Sequence, residues 1–137
     1  MPTEATYLAA AIALERASSD ADELVRDARD AAAHDALRGG ALTAAVRFAI
    51  ERIETGGTAV ASALRSAADA CRWRAEQCRL YDDELARWHQ LDDAYVQAVR
   101  TWQALSAAHR ASWSVPDPGA PPTAPAGPPS RPHPWIA

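Results

Sequence analysis

The chain has 137 residues and a formal net charge of −4, which is one domain's worth of material with room for a tail and too little for two independent cores. Its 48% hydrophobic content rests on 34 Ala, whereas Leu, Ile, Val and Phe together number 21, so a broad, deep core is not expected. The 14 basic residues are all Arg and are interspersed with acids, as in Arg26, Asp27, Arg29 and Asp30, which leaves no basic face for a run of phosphates and no nucleic-acid partner to expect.

Between Thr3 and Ser114 there is no proline, and glycine occurs only as Gly39-Gly40 and Gly56-Gly57. Ala, Glu, Arg, Gln and Leu fill most of that stretch, a composition biased to helix by propensity alone. The expected fold is therefore all-α: an elongated antiparallel helical hairpin of two or three helices with a long C-terminal helical extension over residues 3–114, then a disordered Pro-rich tail over 115–137. In the first helix Tyr7, Ala10, Leu14, Ala17, Ala21, Leu24, Ala28 and Ala31 recur at intervals of three and four, which predicts an Ala-rich seam. The apolar run Tyr7 to Leu14 falls well short of the roughly 20 residues that span a bilayer. It follows Glu4 and meets Glu15 and Arg16 at once, unlike a signal peptide.

Gly39-Gly40 marks the turn, after which the spacing resumes with Leu42, Val46, Ala49 and Ile53. Thr58 can cap a restart after Gly56-Gly57, so that pair either breaks the second helix or only weakens it. From Thr58 to Ser112 nothing stops a helix. In a hairpin about Gly39-Gly40, residue i faces roughly residue 79 − i, so Tyr7 lies opposite Arg72 and everything after about Trp73 overhangs.

The overhang carries the strongest apolar signal in the chain. Tyr81, Trp88, Tyr95 and Trp102 fall seven apart, with Leu85 and Val99 at the complementary positions. Aromatic side chains bury on the order of 150 to 250 Å² each, and such a stripe left in water marks an interaction site. Either the chain folds back over it or another chain covers it. With no Gly or Pro between 58 and 114 to make a turn, a partner is the expected cover.

After Val115, nine of the ten prolines crowd into the last residues, with Pro-x-x-Pro spacings that suit a flexible polyproline II spacer or an aromatic groove. Pro134, Trp135 and Ile136 end the tail. Enzymatic constellations are missing from the sequence, and no cofactor is expected. Asp30 with His34, and His89 with Asp93, have i, i+4 spacing that could serve a metal, but the hairpin would keep the two pairs apart. Cys71 and Cys78, seven apart on a helix, lie beyond the reach of a mutual disulfide and read as small seam residues.

The hairpin turn Leu37-Arg38-Gly39, standing where a Trp-x-Gly tripeptide would, resembles that of the WXG superfamily of type VII (ESX) secretion proteins in its Leu-x-Gly form, over roughly residues 5–85. The resemblance implies a small, non-enzymatic, actinobacterial protein that forms a homodimer or a heterodimer with another helical hairpin protein and is secreted without a cleaved signal peptide. Family members often carry a Tyr-x-x-x-Asp/Glu export signal. Here Tyr81 is followed four residues on by Leu85 and Tyr95 by Val99, whereas Trp88 to Asp92 has the spacing with a different aromatic. A cytoplasmic coiled-coil adaptor or chaperone for a neighbouring toxin or structural protein is the alternative.

Overall fold

The computed structural model describes residues 2–33 and 40–132, which form helix α1 (Glu4–Ala33) and helix α2 (Gly40–Ala111), with no strand among the described residues. Of the expected turn, Leu37 and Gly39 lie outside the described residues and Gly40 is the first residue of α2. Among the described residues the helices are two, because Gly56-Gly57 does not interrupt α2.

The start of α1 is written in two threonines. The Thr6 N–H donates to Thr3 Oγ1 and the Thr3 N–H donates to Thr6 Oγ1, each at 3.3 Å, a reciprocal capping box with Thr in place of the usual Glu or Gln. Glu4 adds a carboxylate to the first turn, where unpaired N–H groups carry partial positive charge. The end of α2 has no glycine. His109 and Arg110 supply basic groups to its last turn, the Val115 N–H closes back on the Ser112 carbonyl at 3.2 Å, and Pro116 and Pro118 cannot extend a helix. No helix among the described residues is long and apolar enough to cross a membrane.

The chain divides into two compact units between Glu76 and Gln77. In the first, α1 lies against the first part of α2, and partner numbers fall along α2 as they rise along α1. Glu15 meets Arg72, Asp22 meets Arg65, and Arg29 Nε donates to Glu54 Oε1 at 3.0 Å. The hydrogen bond and charge of Glu15 raise the Arg72 guanidinium above its ordinary range. All these pairs are solvent-exposed and stabilise weakly. The buried contact of Ser18 with Ala61 falls at the expected sum of 79, and the long Arg72 side chain reaches past Tyr7 to Glu15.

Between the ion pairs runs a seam of small residues. Ala11, Ser18, Val25 and Ala28 of α1 and Ile50, Ala61, Ala68 and Ala75 of α2 are buried. Tyr7, Leu14 and Ala21 are half-buried on the same face, as the spacing predicts, but Ala17 and Leu24 are exposed and Ser18 and Val25 take their place. The second helix shows the same displacement: Val46 is half-buried, Ile50 is buried in place of Ala49, and Ile53 is exposed. The side chain of Leu42 lies outside the described ones. Two contacts account for the phase of α1. Ser18 Oγ donates to the Ala61 carbonyl at 3.0 Å, and Val25 projects at Gly57, where a Cβ would overlap its Cγ2.

Ser18→Ala is expected to cost little. The bond is worth about 1 kcal/mol, about half of which the better helix propensity of Ala returns, and the Ala61 carbonyl keeps its place in the α2 ladder. A loss above about 2 kcal/mol in a urea titration would mean that the hydroxyl does more than bond one carbonyl.

In the second unit, residues 77–111 of α2 carry the proline segment. The sequence divides at residue 114, whereas the compact units divide inside α2, and in the second unit described residues of the tail accept hydrogen bonds from Trp88 and Trp102.

Candidate functional site

The candidate site is the stripe on the second half of α2. Tyr81, Leu85, Trp88, Tyr95, Val99 and Trp102 are all half-buried, and Asp92, Ser106 and His109 complete the same face at alternating intervals of three and four. That spacing holds one straight face along a helix. Leu91, Val96 and Leu105, off the face, are exposed.

The Trp88 indole Nε1–H donates to the Ala126 carbonyl at 2.6 Å, and the Trp102 Nε1–H donates to the Gly119 carbonyl at 2.9 Å. Tail numbers rise as helix numbers fall, so the segment runs back along α2. The two indoles are fourteen helical residues apart and their acceptors seven tail residues apart. At about 1.5 Å per residue the helical interval is about 21 Å, and at about 3.1 Å per residue seven polyproline II residues cover about 22 Å. One heptad of α2 therefore matches three and a half residues of the tail.

The proline pattern fits that ratio. Pro118, Pro122, Pro125, Pro129 and Pro132 are the half-buried prolines, again at alternating fours and threes, while Pro116, Pro121 and Pro128 are exposed. A strict three-residue turn keeps only positions three apart on one side, so it is burial and not the polyproline II period that marks these five as the inward prolines. At the turn, His109 Nδ1 donates to the Val115 carbonyl at 2.6 Å and the Trp113 ring meets the His109 edge at 5.8 Å. Gly119 has φ +76°, a left-handed conformation that favours glycine, and its N–H donates to Asp117 Oδ1 at 2.9 Å. This turn aims the Gly119 carbonyl at Trp102. Beside it an open cleft of about 400 Å³ lies between Trp102, Ser106 and His109 of α2 and Asp117 of the tail.

Comparison with family models, with curated proteins and with solved structures finds no match.

Two of the six stripe residues, Trp88 and Trp102, thus find hydrogen-bond acceptors within the chain, as the fold-back alternative requires. What sequence reasoning missed is the return path. The turn lies past Ala111 and so needs no glycine inside the helix, and the ratio between the heptad of α2 and the spacing of the tail prolines is the signal that could have found it. The stripe offers indole donors, aromatic faces and one half-buried carboxylate, Asp92, a set suited to binding an extended chain.

The other candidates do not converge. His34 lies outside the described residues, Asp30 belongs to the first unit and His89 and Asp93 to the second. No group of three or more His, Cys, Asp or Glu able to hold a metal occurs among the described residues. Cys71 and Cys78 are half-buried free thiols.

Proposed function

We propose that this chain is a non-enzymatic, WXG/LXG-like protein of type VII secretion, an antiparallel helical hairpin that acts by associating with a second helical hairpin. The observation that supports this reading is the composition of the first unit's core. Among the described residues, its buried apolar side chains apart from Val25 and Ile50 are all Ala, while Leu8, Ile12, Leu24, Phe48, Ile53, Val60 and Trp73 are exposed. Each buried methylene contributes about 0.8 kcal/mol, so an Ala seam flanked by half-buried Tyr7, Leu14 and Val46 stabilises two helices weakly, and the exposed large apolar side chains add nothing to it. A second helical pair laid against them would supply the missing burial. Arg52 over Phe48 at 5.9 Å and Arg74 over Trp73 at 4.9 Å cover those two rings only in part.

The cytoplasmic adaptor or chaperone is favoured by one observation. Trp88 to Asp92, the one aromatic-to-acid interval of four in the second half of α2, lies on the face whose indole already donates to Ala126, where an export receptor would have to displace the tail.

Phe48→Ser with Trp73→Ser is expected to shift the mass seen by light scattering toward the monomer at micromolar concentration, with helical circular dichroism retained. A parent chain that is already monomeric, with a melt independent of concentration, would sink the association. Export is tested separately by detecting the chain in culture filtrate and losing it in a strain without the secretion system; an empty filtrate with the partner co-expressed leaves the cytoplasmic reading standing and removes the secretory one.

A further inference from the structure

We infer that residues 81–109 of α2 form a polyproline-reading surface that takes the proline segment of a second copy of this chain in exchange for its own. This goes beyond the hairpin association proposed above, involves different residues, and stands or falls without it.

Three observations carry it. First, the anchoring hydrogen bonds end on main-chain carbonyls, those of Ala126 and Gly119. The helix reads the path and spacing of the segment, and its proline rings fill the half-buried side. A segment of the same spacing from another chain presents the same groups. Second, the second copy is the occupant whose fit is already on view, since every contact the tail makes on its own α2 can be remade on the α2 of an identical chain. Exchange of identical elements is a low-cost route to association, because it replaces each contact by its equivalent and adds none that must be newly designed.

Third, the tether is short and lightly held. Between His109 and Val115 the chain reverses through Ser112, Trp113 and Ser114, fixed by the Val115 N–H to Ser112 carbonyl bond, the His109 to Val115 carbonyl bond and a Ser112 to Ser114 hydroxyl contact of 2.8 Å. Trp113 is 94% exposed and meets only the His109 ring, edge to face, so little buried surface locks the reversal. Once the Trp88 and Trp102 bonds part, opening this turn lets the segment swing to another α2, and exchange through a hinge loop is a low-cost route to a dimer. The intramolecular tail competes at an effective concentration in the millimolar range, so the exchanged form grows with protein concentration.

Complementation between two full-length variants tests this. One has no reader, with Trp88→Ala and Trp102→Ala. The other has no competent tail, with Pro118, Pro122, Pro125 and Pro129 each changed to Gly. Circular dichroism establishes that both keep their helices. The indole N–H signals of Trp88 and Trp102 in the ¹⁵N-labelled tail variant are expected to leave their parent positions, and to return to them when the unlabelled reader variant is added in tenfold excess. A reader variant that also carries the four glycines is expected to have no effect.

Signals that stay displaced in the presence of excess reader variant overturn the exchange. So does recovery with the glycine-tailed control, or a tail variant whose indole signals never leave the parent positions, since the prolines would then not be what the stripe reads. Both variants retain every residue of the first unit, so loss of hairpin association would appear in light scattering and leave this readout untouched.

Discussion

Ala61→Leu is expected to lower the stability of the first unit by about 3 kcal/mol, the upper end of the usual cost of overpacking. Ala61 is fully buried, and its carbonyl accepts the Ser18 hydroxyl across the seam. The added isobutyl group has nowhere to go except toward α1. Moving α1 away breaks that bond, worth about 1 kcal/mol, and opens the contacts of Ala68 and Ala75 on the same face. A small seam of this kind stabilises through close approach of two backbones, and a large residue removes the approach without supplying a hole to fill. Urea unfolding followed by circular dichroism reads the effect as a lower midpoint at unchanged slope. A variant within about 0.5 kcal/mol of the parent would mean that Ala at this position does not set the helix separation.

The two adjacent glycines are expected to respond to Ala with opposite signs. Gly56 has open space around it, so Gly56→Ala stabilises by about 1 kcal/mol through helix propensity alone. Gly57→Ala receives the same gain, but its methyl overlaps Cγ2 of Val25. A β-branched side chain in a helix has one strongly preferred rotamer, so Val25 cannot swing aside and α1 must shift, for a net loss of about 2 kcal/mol. Val25→Ala combined with Gly57→Ala makes the room, and the pair should couple by about 1 kcal/mol or more. Additive single effects would show that the two side chains do not meet. Thermal or urea melts of the four proteins complete the cycle.

Helix class was legible in the sequence because it depends on a long stretch without proline and rich in Ala, Glu, Arg and Leu. The phase of α1 was not. Tyr7, Leu14, Ala21 and Ala28 belong to both a three-four and a four-three reading, and in an Ala-rich helix hydrophobicity hardly separates Ala17 from Ser18. Leu24 is the more apolar choice over Val25, yet Val25 is buried and Leu24 is 57% exposed, since the decision lies on α2, in the missing Cβ of Gly57. A hydroxyl with a carbonyl to meet, as at Ser18, likewise outweighs one more methyl group. The stripe at Tyr81, Trp88, Tyr95 and Trp102 was plain, but its cover was not. Proline-rich composition suggests a solvated spacer, and only the spacing of Pro118, Pro122, Pro125, Pro129 and Pro132 against a heptad distinguishes a ligand from a linker.

The chemistry of that cover has a consequence for solubility. A β-strand laid over the aromatic stripe would have exposed an outer row of N–H and C=O groups, a template on which further chains pair and aggregate. Proline has no N–H, and it cannot continue a ladder. The tail can accept hydrogen bonds from Trp88 and Trp102 on its inner side while its many prolines deny donors to any strand arriving from outside. A helix that collects its aromatic residues on one face thus shields part of that face with a segment poorly suited to recruit the next molecule in a growing sheet.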